Sequence, residues 1–195
     1  TSKVFLMNND LDESNFEFTI AASVVAPNFE VRSLNAKISD GDEAPTAIKG
    51  TDFGQNAVGK SASKKFTITN SGPGILNVKG INISGSTVFS VSSGSGFPIQ
   101  LNKSSQLEFT ITALNTQPTV ELATVSILTN ASDSVFNFIV SAEGTAPLLN
   151  IFGNSNPVQN GNLNPNKFNQ THFGLVGLGY LKTNVFQLEN SGKEL

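Results

Sequence analysis

Cysteine and tryptophan are missing from this chain of 195 residues, and histidine, tyrosine and methionine each occur once. Without cysteine, disulfide bonds and thiolate metal sites are excluded. With His172 as the single histidine, neither a metal site with two histidines nor most nucleophile–histidine pairs can be assembled within the chain. The composition therefore argues against an enzyme.

Charged residues are also scarce. They make up 14% of the chain, against about 25% in an average soluble protein. Twelve Lys and Arg stand against fifteen Asp and Glu, so the basic surface that a nucleic-acid partner requires is missing. No run approaches the roughly 18 apolar residues of a membrane-spanning helix. We expect no nucleic-acid partner and no membrane insertion by this segment.

What the chain does contain is a repeat with a period of 120 residues. Phe16 and Phe18 match Phe136 and Phe138, and the sequence Asn-Ser-Gly occurs at 70–72 and again at 190–192. In all, 15 of the 57 positions from 16 to 72 are identical to the residue 120 positions later, without a gap. Chance would give about three or four identities at ordinary residue frequencies. Self-similarity of this kind is typical of a repeat protein.

The repeat sets the expected domain boundaries. Residues 28–147 form one complete unit, residues 1–27 are the last strands of a preceding unit, and residues 148–195 are the first part of a following unit. We therefore expect the chain to be a segment of a longer polypeptide. The connections at 26–27 and 146–147 are both Ala-Pro, and proline leaves such short connections little freedom. This predicts units that sit end to end with restricted bending.

Short runs within the complete unit alternate between polar and apolar residues. The clearest are 65–69, 107–111, 123–127 and 136–140, which are rich in β-branched and aromatic side chains. Such alternation is typical of half-buried strands, and no window of a dozen residues shows the period of a helix. Seven or eight strands in a unit of 120 residues predict an all-β fold of tandem immunoglobulin-like antiparallel β-sandwich repeats.

Two parts of the unit depart from plain alternation. The pattern of 76–78 continues in 81–83 only after a shift near Gly80, which predicts a β-bulge there. The segments 33–50 and 153–170 occupy equivalent places in successive units and show no alternation. We expect them to be long surface loops that pack near the junction of two units.

Several of these motifs carry a family resemblance. Residues 9–20 (NDLDESNFEFTI), 38–45 (ISDGDEAP), 51–54 (TDFG) and 66–72 (FTITNSG) resemble segments of choice-of-anchor D repeats. Those repeats are relatives of the immunoglobulin-like domains of the ASPM/SPD-2/hydin (ASH) type. The resemblance covers nearly all of 9–145, and the second copy of the motifs departs from it in several residues.

The resemblance implies a structural module without catalytic residues. Such repeats are common in large secreted proteins of Bacteroidetes, including adhesins of gliding or surface-colonising bacteria. The implied location is extracellular or on the outer surface of a Gram-negative bacterium. The implied partners are neighbouring repeats of the same chain, a surface or glycan target bound through other regions, and secretion or anchoring machinery.

Three acidic side chains are the candidates for a Ca²⁺ site. Asp40, Asp42 and Glu43 lie close together in a turn, and a hard cation such as Ca²⁺ takes several oxygen ligands. The residues 120 positions later carry no charge. The alternative is that the aspartates only shape the turn. No other cofactor is expected.

His172 and Ser134 are the remaining side chains with distinctive chemistry. His172 takes the place of Asp52 in the repeat, and a position that accepts either residue is not expected to be catalytic. No serine lies in the GxSxG context of a hydrolase nucleophile, so we predict no enzyme activity. Residues 133–135, Asp-Ser-Val, resemble the Asp-Ser/Thr-aliphatic acceptor for O-glycosylation in Bacteroidetes. Ser134 is therefore a candidate modification site in a hairpin turn.

The sequence leaves three functions open. The first is a structural stalk segment of a very large secreted or cell-surface protein, with a bacterial adhesin as the favoured class. In such a protein the repeats set the spacing of distal adhesive regions and present them. The second is an accessory binding module beside a catalytic or glycan-binding domain of a multidomain secreted protein. The third, an intracellular scaffold of the hydin type, is disfavoured by the low lysine content and by loops rich in Asn, Ser and Gly.

Overall fold

The computed structural model describes residues 1–132 and 134–194, and in this part of the chain it contains sixteen strands and no helix. The strands are β1 (Ser2–Met7), β2 (Asn15–Ile20), β3 (Phe29–Ser33), β4 (Ala36–Ile38), β5 (Asp52–Ala57), β6 (Ser61–Asn70), β7 (Leu76–Val78), β8 (Gly80–Ser84), β9 (Phe89–Ser92), β10 (Ile99–Leu101), β11 (Gln106–Leu114), β12 (Val120–Leu128), β13 (Val135–Thr145), β14 (Leu149–Gly153), β15 (Asn156–Pro157) and β16 (Phe186–Asn190). All four clearly alternating runs lie within strands, namely β6, β11, β12 and β13.

Strands β3 to β13 build a two-layered sandwich. One sheet has the strand order β4-β3-β6-β11-β9, and the other has the order β5-β13-β12-β8. The short strands β7 and β10 pair with each other outside these sheets. The fold is immunoglobulin-like. The prediction of an all-β sandwich is confirmed, although eleven strands lie between 28 and 147 in the described residues, rather than the seven or eight expected.

Phenylalanines from both sheets fill the centre of the sandwich. The ring of Phe66 stacks on that of Phe109 with 5.3 Å between centroids, and it lies 5.6 Å from the ring of Phe138 on the opposite sheet. All three side chains are fully buried. Because successive residues of a strand point to opposite faces, the same alternation that predicts the strands also predicts which side chains enter this core.

The structure corrects two details of the predicted strands. The pattern shift near Gly80 is not a β-bulge, because β7 pairs with β10 whereas β8 pairs with β12. The chain changes sheets at Lys79, whose backbone N–H donates to the Leu128 carbonyl (2.7 Å). The sandwich is also not wholly antiparallel, because β5 runs parallel to β13.

The two predicted loops are only partly irregular. Segment 33–50 contains β4, which forms a tight hairpin with β3, and segment 153–170 contains β15, which pairs with β14 in the same way. The turn of the first hairpin places Leu34 and Asn35 at positive φ, and Asn154 and Ser155 adopt the same conformation 120 residues later. The rest of both segments is irregular, as expected.

The repeat is visible in backbone geometry as well as in residue identity. Val31 pairs with Ile68 between β3 and β6, and Ile151 pairs with Leu188 between β14 and β16, so the register recurs at a spacing of 120. Near the N-terminus, β1 and β2 form a hairpin with the register of β12 and β13. Its connecting turn is one residue longer than that of β12–β13, so β1 matches β12 at a spacing of 121.

Candidate interaction site at the joint between repeats

The Asn-Ser-Gly turns lie directly against the Ala-Pro connections. A Cβ atom added to Gly72 would lie 2.3 Å from the backbone nitrogen of Asn28 and 2.8 Å from the carbonyl carbon of Pro27. At the second joint, a Cβ atom on Gly192 would lie 2.3 Å from the carbonyl oxygen of Ala146. Since no side chain fits at these distances, glycine is required for the turn to approach the connection. The same contact therefore occurs at both Ala-Pro connections, which we call the first joint (26–27) and the second joint (146–147).

Asparagine side chains hold these turns in place. The buried Asn70 amide donates to the carbonyl oxygens of Gly74 (2.7 Å) and Leu101 (2.9 Å), and its own oxygen accepts from the backbone N–H of Gly72 (3.1 Å). Asn190 repeats the last contact with Gly192 at 3.0 Å and also accepts from the backbone N–H of Leu148 (3.0 Å). Asn190 therefore binds the first residue after the proline of the second Ala-Pro connection.

Two side-chain contacts reinforce the second joint. Lys193 forms an ion pair and hydrogen bond with Glu143 in β13, and the hydroxyl of Thr145 contacts the carboxylate of Glu194. The Lys193 ammonium, helped by the Gln55 amide (3.0 Å), lowers the pKa of Glu143 below its ordinary value. The residues after β16 are therefore bound to the last strand of the preceding sandwich by charge as well as by close packing.

The proposed Ca²⁺ ligands have partners within the protein. One Asp40 oxygen accepts from the backbone N–H groups of Gly41 (3.0 Å) and Asn137 (2.7 Å). Asp42, whose side chain is nearly buried, pairs with Lys49 at 2.6 Å. In the described residues there is no group of three or more His, Cys, Asp or Glu side chains that could hold a metal ion. The structure therefore does not bring Asp40, Asp42 and Glu43 together as ligands.

The acidic turn instead attaches the loop to β13. The backbone N–H of Gly41 donates to the Asn137 carbonyl (2.8 Å), and the backbone N–H of Ile139 donates to the Asp42 carbonyl (2.9 Å). Together with the Asp40 contact to Asn137, these bonds make a short parallel bridge between the turn and the strand. The aspartates thus lie where the loop meets β13 of the second sheet.

His172 and Asp52 make the same contact in their respective units. His172 Nδ1 accepts from the backbone N–H of Gly174 at 2.8 Å, and an Asp52 oxygen accepts from the backbone N–H of Gly54 at 2.9 Å. Both glycines have positive φ, which fits a shared turn. An imidazole and a carboxylate are interchangeable here because the turn needs only a hydrogen-bond acceptor.

Ser134 is exposed at the turn between β12 and β13, and its carbonyl oxygen accepts from the backbone N–H of Thr129 (2.9 Å). Asp133, the first residue of the proposed acceptor motif, lies outside the described residues.

Membrane-spanning helices are not found in the part of the chain that the structure describes. Sequence reasoning identified the Ala-Pro connections but missed the partners they pack against, although the repeated Asn-Ser-Gly was a signal for them.

Comparison with known proteins gives similarity of fold only. No family model matches the chain, and no curated protein matches its sequence. A protein of unknown function from Porphyromonas gingivalis W83 is 16% identical, with a TM-score of 0.41 over 66% of this chain and 71% of that one. The human CEP192 ASH/PapD-like domain 7 is 14% identical, with a TM-score of 0.38 over 65% of this chain and 96% of the domain.

Other similar structures are larger proteins. The protease VesB of Vibrio cholerae is 14% identical, with a TM-score of 0.41 over 61% of this chain. The chain spans 31% of VesB and 22% of the secreted serine protease VesC of the same organism. At such identities the comparison says nothing about activity.

Proposed function

We propose that the chain is a stalk segment of a large secreted or cell-surface protein built from repeats of the choice-of-anchor D type. The class of protein that we favour is a bacterial adhesin. In this role each sandwich holds its neighbours at a fixed spacing, and adhesive regions elsewhere in the protein bind a surface or glycan target. The partners of the segment itself are the neighbouring repeats. Secretion or anchoring machinery would act on other parts of the protein.

The observation that supports a stalk is that side-chain and backbone contacts restrict the second joint. A stalk holds its two ends at a fixed distance only if its units cannot rotate freely against each other. A flexible connection of Gly and Ser would allow such rotation. Here the Ala-Pro connection is covered by Gly192, and Lys193 and Glu194 contact the last strand of the preceding sandwich. These contacts restrict the connection beyond what proline alone achieves.

Distance measurement between two spin labels tests this proposal on the intact chain. The chain has no cysteine, so Ser90→Cys and Gln187→Cys provide the only two attachment points. Both side chains are exposed, one on β9 of the complete sandwich and one on β16 beyond the joint. Pulsed electron paramagnetic resonance should show a single narrow distribution of distances.

The glycine contact offers a sharp variant with a matched control. Gly192→Val places a side chain where the connection lies and should broaden the distribution without unfolding the sandwich. Gly96→Val is the control, because a Cβ atom at Gly96 meets nothing within 4 Å. A broad distribution in the unaltered chain would overturn the stalk proposal and favour the accessory binding module.

A further inference from the structure

One side of the complete sandwich is built from a stretch of sequence without charged side chains. No Asp, Glu, Lys or Arg occurs between Lys79 and Lys103, although charged residues make up 14% of the chain. This stretch contains β8, the last strand of one sheet, and β9, the last strand of the other. The two strands lie against each other at the side of the sandwich. Two neighbouring strand edges, one from each sheet, are therefore free of charge.

The strands at the other ends of the two sheets are protected against further pairing. Strand β4 presents Lys37, whose ammonium binds Glu30 (3.2 Å). Strand β5 begins with Asp52, and its pairing with β13 is irregular between Ser141 and Glu143. Charges and irregular pairing are devices that keep a strand edge from pairing with another chain. Strand β8 has neither, because its sequence Gly-Ile-Asn-Ile-Ser is uncharged and pairs with β12 in unbroken register.

The centre of β8 is complementary to a second copy of itself. Ile81 and Ile83 flank Asn82 symmetrically, so an antiparallel pair with its two-fold axis at Asn82 places Ile81 of one copy opposite Ile83 of the other. Opposite residues of such a pair point to the same face. The isoleucines, which pack in or against the core, therefore stay on the core face. The two exposed Asn82 amides meet on the outer face, where each can donate to the other.

The charges just beyond the two ends of β8 are complementary in the same arrangement. Lys79 is exposed directly before β8, and beyond its far end the hydroxyl of Ser86 donates to the carboxylate of Glu121 (2.8 Å). The antiparallel register places Lys79 opposite Gly85 of the second copy, next to the Ser86 that binds Glu121. An ammonium of each copy thus approaches a carboxylate of the other, once on each side of the axis. This complementarity favours a second copy of the chain over an unrelated strand.

We propose that two copies of this chain form a dimer through antiparallel pairing of their β8 strands, which joins two four-stranded sheets into one continuous sheet. Both copies use the same surface, so the contact closes at two copies. Every residue involved lies within the complete unit. Combined with the stalk proposal, on which this last step rests, the contact joins stalks that run in opposite directions, as those from two facing surfaces do.

Cysteine cross-linking of the 195-residue chain tests the register. The chain has no cysteine, so Asn82→Cys can form a disulfide bond only between copies. Opposite residues of antiparallel strands have Cα atoms about 4.5–5.5 Å apart, which suits a disulfide bond. Mild oxidation of Asn82→Cys should therefore give a covalent dimer. Lys37→Cys, exposed on β4, is the control and should stay largely monomeric, and equal cross-linking of the two variants would overturn the proposal.

Charge substitutions at Asn82 provide a second test, by sedimentation velocity. Asn82→Lys and Asn82→Glu each place like charges opposite each other, so each variant alone should be monomeric at concentrations where the unaltered chain dimerises. Mixed in equal amounts they should dimerise again, because opposite charges now meet. Gln106→Lys, exposed on the central strand β11, is the matched control and should dimerise like the unaltered chain.

Three results contradict the proposal. They are an unaltered chain that stays monomeric at all concentrations, association that Asn82→Lys leaves unchanged, and a mixture of the two charged variants that stays monomeric. The stalk proposal is tested separately, by distances within one chain.

Discussion

At the scale of single residues, the repeat supplies pairs in which the same side chain stands in two environments. Phe138 is buried among Phe66 and Phe136, whereas Phe18 lies on the open hairpin. His172 and Asp52 are the reverse case, since two different side chains make the same kind of hydrogen bond in their respective units. The sequence showed these equivalences, but burial depends on the covering sheet and could not be predicted from the position in the repeat alone.

The first prediction uses the Phe138 and Phe18 pair. Phe138→Ala should lower the free energy of unfolding by roughly 3–5 kcal/mol, because it leaves a cavity at the centre of the sandwich. Phe18→Ala should change it by no more than about 0.5 kcal/mol, as is usual for exposed positions. Urea unfolding in dilute solution measures both. Similar losses for the two variants would contradict the assignment of Phe138 to the core.

The second prediction concerns the turn asparagines. Asn70→Asp replaces a buried donor with a carboxylate that faces the carbonyl oxygens of Gly74 and Leu101. An uncompensated buried charge costs roughly 3–5 kcal/mol, so the midpoint of urea unfolding should fall sharply. Asn190→Asp is the control, because its side chain is exposed and the midpoint should move little. Equal shifts would mean that the Asn70 network does not stabilise the sandwich.

At the scale of elements, the sequence predicted strands that alternate and missed strands that do not. The runs 65–69, 107–111, 123–127 and 136–140 within β6, β11, β12 and β13 carry apolar residues at every second position, and burial of one face explains them. Strand β5 contains Gly54, Gln55 and Asn56, and what defines it as a strand is its parallel pairing with β13. A pairing partner about 90 residues away leaves no mark on the local pattern.

The change of sheets between β7 and β8 shows a second limit. A one-residue shift of the apolar pattern arises equally from a bulge within one sheet and from a chain that leaves one sheet for another. Only the pairing of β7 with β10 and of β8 with β12 distinguishes the two cases. The same holds for the joint, where proline was visible but the contact between Lys193 and Glu143 was not.

The third prediction follows from the charge at that joint. The Lys193 ammonium lowers the pKa of Glu143 from 4.5, so the contact is fully present above pH 4.5 and is lost as the pH falls through the lowered pKa. The distances between labels at 90 and 187 should therefore broaden in acid. Glu143→Gln should broaden the distribution at neutral pH and weaken the response to acid.

A matched substitution controls for general acid effects. Lys37 and Arg32 lower the pKa of Glu30, but all three residues lie within the complete sandwich. Glu30→Gln should therefore leave the acid response of the joint unchanged. If Glu30→Gln and Glu143→Gln alter the distances alike, the ion pair between Lys193 and Glu143 does not hold the joint.

At the scale of the whole molecule, one complete sandwich stands between two open halves. The 120-residue period predicts a complete unit between parts of two further units, and the pairing of β3 with β6 recurs with the same register in β14 and β16.

The boundaries at 28 and 147 remain a prediction, with a direct consequence. Residues 28–147 expressed alone should give a monomeric, cooperatively unfolding β domain by circular dichroism, and residues 1–27 alone should not fold, because a lone hairpin is marginal in water.

Amide hydrogen exchange of the intact chain tests the account most directly. Protection should be highest and nearly uniform in the central strands β6, β11, β12 and β13, which should open only with global unfolding. Strands β1, β2, β14 and β16 should exchange much faster, because their core faces are uncovered. Equal protection of the end strands and the central strands would contradict the account of one closed sandwich flanked by two open halves.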